Sequence, residues 1–463
     1  MGIEGFYKWV KESYPNTIYP ITIEYFDHVY IDLNYLLHMC NYNSNDMKHT
    51  VNKLKTIILD INTKTQPTKS LNLFCDGVAP LAKLLEQRKR RLEHPINETE
   101  DLIKNSPLNF TPGTIFLENL ESNLKQIIKI IENQLCIKIN VDIINDGEGE
   151  LKIKNALLQN YSKSSKDTHI LVTTDADVIL MAMSNYSYKN TYILLKDNIL
   201  SLDLLLKAHT KIFGTSEYSH LDFCFLNLFL GNDYIPKLKY ISNQKLWDSY
   251  KQNVIQHKYL IDDNNNINVK FLIDIITDVI AKIKICYYKK ITLKDLDYNK
   301  IKNYLDGISW TFVMYKRGKC IDYRYIYNYD TSIDPLSLQI YLLNNEYKLN
   351  IIKNENIVNK NLCALILLPK KAINLIDNKY HKFINNSTDK IINKITEEEQ
   401  CVQCKLNQKS YIENKKLYQE EKLTKSEYEN YNEQYMNHKK THKSLTDKDI
   451  DKIVMKFNKF LLK

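Results

Sequence analysis

The stretch HILVTTDADVI (169–179) ends an apolar, β-branched run in two carboxylates, Asp175 and Asp177. Two carboxylates about 4 Å apart repel by ~4 kcal/mol at an effective dielectric of 20, so a proton or a cation has to compensate such a pair. Five further acids stand in similar settings: Asp32 in YIDLN, Asp76 in CDGVAP, Glu148 and Glu150 in DGEGELK, and Asp233 in GNDYIP. Oxygen-only donor sets of this kind suit hard divalent cations such as Mg²⁺. Two such ions roughly 4 Å apart activate a water and stabilise the leaving oxygen of a phosphodiester. Each motif alone has a plainer reading. An Asp after a strand is commonly a helix N-cap, and Glu148 and Glu150 suit the first turn of a helix. Strand-end acids combined with two glycine-flanked acidic loops favour the metal reading.

A second constellation follows Asp76. In APLAKLLEQRKRRLEH, a helical repeat gathers Lys83, Gln87, Arg90, Arg91 and His94 within a wedge of about 100° and sets Leu81, Leu85 and Leu92 opposite. A fork of N–H donors suits a terminal phosphate, which offers more oxygens and charge than an internal phosphodiester. A solvated basic surface helix is the plainer reading; the position directly after Asp76 favours the phosphate.

The elements that have to position these side chains are legible as short apolar runs. VYIDL (29–33), LNLFCD (71–76), IKINVDII (137–144) and ILVTTD (170–175) predict strands alternating with helices, an α/β arrangement with a mainly parallel sheet flanked by helices. Ligands of open α/β sheets bind beyond the carboxyl ends of the strands, where these acids would converge. Gly77, Gly147, Gly149 and Gly231 each adjoin an acid, which predicts constructed loops, although ordinary turn chemistry explains any one of them equally well. From about 245 the pattern turns to Lys- and Tyr-rich helical stretches. The expected division is residues 1–244, an α/β domain, and 245–463, a mostly helical second region whose stretch 396–450 reads as a solvated helix or a partly disordered connection.

With 463 residues, 44% hydrophobic and 26% charged, the chain has the composition of a globular protein. A net charge of +9 permits a polyanionic partner. No apolar run reaches the ~18 residues needed to cross a bilayer, and MGIEGFYKWV is not a signal peptide. Nine irregularly spaced cysteines fit a reducing compartment. A cytoplasmic, monomeric protein without a membrane partner is expected, and the Asn/Lys bias fits a large DNA virus, with its factory or virion as further locations, or an AT-rich protist.

These residues resemble the Xrn-type 5′→3′ exoribonucleases. The matching stretches are MGIEGFYKWV with Tyr14-Pro15, YIDLNYLLHMC, CDGVAPLAKLLEQRKRR, TPGT (111–114), GEGELK, TDADVILMA and LNLFLGNDYIP, in family order to about residue 240. Fainter matches lie at 304–327 and 362–376. The resemblance implies a PIN/FEN-like nuclease fold and a two-ion Mg²⁺ site, with Mn²⁺ able to substitute, at Asp32, Asp76, Glu148, Glu150, Asp175, Asp177 and Asp233. It places Lys83, Gln87, Arg90 and Arg91 around the 5′ monophosphate of single-stranded RNA. It also matches His38, otherwise readable as a satisfied core histidine, to a histidine stacked on the terminal base, with Trp310 as its aromatic partner. Protein partners stay open, with decapping machinery as one candidate. Leu81 stands where the family has Arg, Leu151 where it has His, and Glu4 where it has Pro. The chain is also shorter than the cellular enzymes and is expected to lack their additional C-terminal domains.

The expected activity is release of mononucleotides from 5′-monophosphorylated RNA in mRNA degradation. Two alternatives stand beside it. A flap-type, structure-specific DNA endonuclease shares the MGI start and the acids, but its duplex-binding hairpin carries glycine, and here none occurs between Gly231 and Gly307. The other is a catalytically silent RNA-binding protein on the same fold. Separately, Cys401-x-x-Cys404 and His438-x-x-x-His442 offer four zinc-type ligands, with surface residues the plainer reading because the gap between the pairs is long.

Overall fold

The computed structural model describes residues 2–3, 5–22, 24–40, 47–92, 106–283, 292–329, 331–349, 352–385, 445–462 and isolated positions between 389 and 427. His94, Glu4, and the candidate zinc ligands Cys401, Cys404, His438 and His442 lie outside the described residues, as does most of 396–450.

The chain forms two compact units, neither continuous in sequence. One comprises Met1–Cys40, Lys48–Ala82 and Asn123–Ile357; the other comprises Asn41–Met47, Lys83–Ser122 and Val358–Lys463. The expected division at 244/245 does not coincide with this one. Residues 245–357 stay with the sheet because their apolar faces pack there: Trp247, fully buried, meets His209 edge-on at 4.2 Å and lies nearly parallel to Phe223 at 5.7 Å.

The first unit is built on a seven-stranded mixed sheet of order β1-β7-β6-β5-β2-β3-β4, comprising β1 (Ile18–Pro20), β2 (His28–Asp32), β3 (Ser70–Phe74), β4 (Lys138–Asp142), β5 (His169–Val172), β6 (Thr191–Leu195) and β7 (Asn198–Ser201). The pairs β2·β3, β2·β5, β3·β4 and β5·β6 are parallel, and β7 runs antiparallel to both β6 and β1. All five residues of β3 and all four of β5 are buried, as are the first four of β2, the pattern of central strands covered on both faces. Chain order runs β2, β3, β4 to one side and then jumps to β5 on the other side of β2. The reversal between β2 and β5 is a topological switch point, where side chains at the carboxyl ends face a crevice. The four strands expected from the sequence are β2 to β5.

The opposite ends of these strands carry a buried polar network. His28 hydrogen-bonds Ser70 Oγ at 2.8 Å and Asp167 Oδ2 at 3.1 Å, and Asp167 also accepts from Lys69 Nζ and Ser164 Oγ, both at 2.6 Å. The His169 ring stacks on His28 at 5.2 Å with an interplanar angle of 13°. Burial, reinforced by the neighbouring His28, pushes the His169 pKa down to about 4.

In the second unit, helices Lys360–Leu367, Asn378–Asn385 and Asp447–Leu461 surround an apolar interior that includes Leu362, Leu365, Phe383 and Phe457. Phe383 meets Phe457 edge-on at 5.0 Å. The last helix starts at a capping box between Thr446 and Asp449, and Asp449 also pairs with Lys394 at 3.0 Å. No helix among the described residues is long and apolar enough to cross a membrane.

Candidate metal centre

All seven acids singled out in the sequence belong to the first unit, at the carboxyl edge of its parallel strands. Asp32 ends β2, paired in register with Phe74 of β3, and Ile31 is paired with Val172 of β5. Asp76 lies two residues past β3, Asp175 three past β5, and Asp177 opens the helix Asp177–Met183. Glu148 occupies the N-cap position and Glu150 the first turn of the helix Gly149–Lys163. Asp233 follows the tight turn at Gly231.

Their mutual influence registers in their protonation. Burial raises the Asp32 pKa to about 7, and the Asp76 and Asp175 charges add to that rise. Asp177 is raised by burial first and then by Asp175 and Asp233. Glu148 and Asp177 are buried, and the other five are partly exposed. Among the described residues, no three His, Cys, Asp or Glu side chains close on one point as a finished ligand cage. The acids share a field rather than a cage. Closing it would cost ~4 kcal/mol for each pair brought to 4 Å at an effective dielectric of 20 unless a cation offset the repulsion.

Hydrogen bonds fix where each carboxylate points. Asp32 Oδ1 accepts from the Asn34 amide at 2.9 Å, in the first turn of the helix Leu33–Cys40, and Asp175 Oδ1 accepts from the Asp177 amide at 3.0 Å, in the turn that leads into the helix Asp177–Met183. Asp76 accepts from the Gly149 amide at 2.7 Å and from Asn34 Nδ2 at 2.5 Å. The CDG and DGEGE loops are tied by Gly77 N to Gly147 O at 2.8 Å and Gly147 N to Val78 O at 3.0 Å. A Cβ on Gly77 would overlap Asn145 O. Lys152 Nζ secures the same region, donating to Cys75 O at 2.9 Å and to Asp142 Oδ1 at 3.0 Å.

The N-terminal segment is threaded against the acids. Gly2 N approaches Asp233 Oδ1 at 3.4 Å, and Ile3 N donates to Asp177 Oδ1 at 2.8 Å. Gly2 has φ +72°, and a Cβ there would lie 2.6 Å from Asp175 Oδ1 and closer still to Asp177 Oδ1. Only glycine fits this position without moving the carboxylates.

Two phenols that no sequence motif singles out also reach the acids. Tyr234 donates to Glu148 Oε2 at 2.6 Å, and Tyr315 donates to Asp177 Oδ2 at 3.0 Å. Glu150 and Asp175 also act on Tyr315, and Glu150 on Tyr234. Asn34 and Lys152 were not singled out either, although both lie inside quoted motifs.

The remaining candidates divide. His38 is exposed in the last turn of the helix Leu33–Cys40, so its alternative as a core histidine does not apply. Trp310 is 4% exposed, with Tyr325 stacked on its ring at 4.6 Å and Tyr234 edge-on at 5.1 Å. These contacts put it in the core and correct its expected role as a base-stacking partner. Lys83, Gln87, Arg90 and Arg91 lie on the helix Leu81–Leu92 and belong to the second unit. All four are partly exposed. Arg90 pairs with Glu86 at 3.7 Å, and Arg91 donates to Thr111 Oγ1 at 2.7 Å. The buried residues of this helix include Leu81, Ala82, Leu84 and Arg88, whereas Leu85 is only partly covered. Arg88 donates to the carbonyls of Ile366 and Ile395. Leu81 and Leu151, at the positions that depart from the Xrn-type pattern, are both buried.

Fold and site define an α/β protein with a carboxylate cluster at the switch point of a mixed, mainly parallel sheet. Residues 1–198 match the family model described as the XRN 5'-3' exonuclease N-terminus. Among curated relatives, the chain is 25% identical over 374 residues to 5'-3' exoribonuclease 1 of Saccharomyces cerevisiae, covering 67% of this chain and 24% of that protein. It is 29% identical over 218 residues to 5'-3' exoribonuclease 1 of Homo sapiens, covering 40% and 13% respectively. Among solved structures, the catalytic core of Rad2 in complex with DNA substrate overlaps with a TM-score of 0.34 at 15% identity, covering 68% of this chain and 84% of that one. The first 198 residues are thus similar to the XRN 5'-3' exonuclease N-terminus, and the chain spans a quarter or less of the length of these curated relatives.

Proposed function

We propose that the protein is a 5′→3′ exoribonuclease that hydrolyses single-stranded RNA carrying a 5′ monophosphate and releases mononucleotides. The observation that supports this reading is the placement of the acids along the carboxyl edge of one sheet, where Asp76 and Asp175 act on Asp32, and Asp175 and Asp233 act on Asp177. The donor set is made of carboxylate oxygens only, which fits Mg²⁺ or Mn²⁺ and not a thiolate- or imidazole-preferring metal. Asp32, Asp76, Glu148, Glu150, Asp175, Asp177 and Asp233 would hold two such ions. Bound there, they would lower the pKa of a water and offset charge on the leaving oxygen.

The chain's own part is orientation. Backbone amides of Ile3, Asn34, Gly149 and Asp177 aim the carboxylates before any substrate arrives, which avoids reorganisation during the reaction. Lys83, Gln87, Arg90 and Arg91 offer the N–H donors for the terminal phosphate. Exposed His38 offers a ring face to the terminal base, and stacking of this kind tolerates any base.

Substitution of Asp175 by Ala tests the reading. Turnover should vanish while RNA binding, followed by fluorescence anisotropy, persists. Wild-type protein that binds RNA and never shortens it with Mg²⁺ or Mn²⁺ is a silent RNA-binding protein.

A further inference from the structure

Two carboxylates of the cluster are held by side chains from beyond residue 198, where the family match ends. Tyr315 sits on the helix Tyr298–Arg317 with its side chain fully buried, and Tyr234 in the loop after Gly231 is 6% exposed. Asp177 takes one donor on each oxygen: the Ile3 amide on Oδ1 at 2.8 Å and the Tyr315 hydroxyl on Oδ2 at 3.0 Å. Two donors on opposite oxygens fix the plane of the carboxylate and leave further lone pairs on both oxygens, since an ionised carboxylate has about four acceptor sites. Glu148 is fixed on Oε2 by the 2.6 Å bond from Tyr234, whose ring is itself wedged against Trp310 at 5.1 Å. This gives buried Trp310 a place in the site: it packs behind the phenol that orients Glu148.

We propose that Tyr315 and Tyr234 are positioning residues that set the affinity of the acid cluster for its divalent cation, so that the metal site is completed by the chain beyond residue 198. The inference rests on the reading that these acids hold a divalent cation. Without its phenol, Asp177 swings about the Ile3 bond and Glu148 loses the bond to Oε2, so ordering both carboxylates is charged to metal binding. Neither phenol has to touch the cation or the RNA.

The test is Mn²⁺ binding to the full chain, followed by the loss of the free-ion electron paramagnetic resonance signal, for the wild type, Tyr315→Phe, Tyr234→Phe and Tyr304→Phe. Tyr304 is buried on the same helix, and its charged or titratable neighbours are other tyrosines rather than site acids. Loss of an outer hydrogen bond to a metal ligand commonly weakens metal affinity about 10- to 100-fold. That loss is expected for Tyr315→Phe and Tyr234→Phe, with Tyr304→Phe unchanged. The metal concentration for half-maximal cleavage should rise in step, while KM for RNA at saturating metal stays at the wild-type value. Wild-type Mn²⁺ affinity in both site variants, with only their melting temperatures lowered, would overturn the proposal. Absence of Mn²⁺ binding by the wild type itself would overturn the metal reading beneath it and the proposal together.

Discussion

A single methyl group on Gly2 would press between the Asp175 and Asp177 carboxylates from a backbone at φ +72°. Misplacing catalytic groups by about 1 Å can cost 10²-fold in rate. Gly2→Ala is therefore expected to lower metal-dependent cleavage about 10²-fold and leave the circular dichroism spectrum unchanged; full activity in this variant would show that the N-terminal segment does not set the acids. The two aromatic candidates separate by assay. His38→Ala should weaken RNA binding by about 1–3 kcal/mol, the usual worth of one base stack, and leave stability alone. Trp310→Ala should destabilise the fold by about 3–5 kcal/mol, as large-to-small core changes do, measured by denaturant unfolding. The acids and glycines were legible because such residues seldom crowd strand ends by accident. The bracing phenols were not: the chain has 33 tyrosines, and nothing in their spacing distinguishes Tyr234 and Tyr315.

At the scale of elements, β2 to β5 were readable as apolar runs ending in acids. The antiparallel part of the sheet was not. β1 is three residues long and includes Pro20, and the β6–β7 hairpin turns through Lys196 and Asp197, with Lys196 at φ 58°. The usual Asn-Gly or Asp-Gly signal of a two-residue hairpin is missing there. The strands also carry a pH dependence at the edge away from the acids. His169 has a folded pKa of about 4, pushed down by burial and by stacked His28, whose own pKa burial lowers against the opposing pull of Asp167. Between about pH 6.5 and 4 the unfolded chain binds more protons at these rings, so stability is intact above pH 6.5 and falls as acid is added. Asp32 and Asp177, both raised to about 7, act in the opposite sense, so the rings are read by difference: the stability of His169→Gln relative to the wild type should rise as the pH falls through that window, and a constant difference would remove these rings as the cause.

For the whole molecule, composition suggested a border near 244 because Lys- and Tyr-rich helices begin there, yet composition does not say which surface an apolar helix face covers. Helices as far as 357 belong with the sheet, whereas Lys83–Ser122 is gathered with Val358–Lys463 in the second unit. Arg88 shows how that gathering is secured: 3% exposed, it donates to the carbonyls of Ile366 and Ile395, far along the chain. Arg88→Leu would leave both acceptors unpaired at a cost of about 1–3 kcal/mol each, visible as an earlier melting step with the metal affinity of the acid cluster unchanged. The most direct test of the central claim is to give the protein one RNA sequence, 3′-labelled, as 5′-monophosphate, 5′-triphosphate and capped forms with Mg²⁺. The account predicts that the monophosphate form is shortened from its 5′ end, that the other two are largely spared, and that EDTA stops the reaction. Equal cleavage of all three, or no metal-dependent cleavage of any, would contradict it.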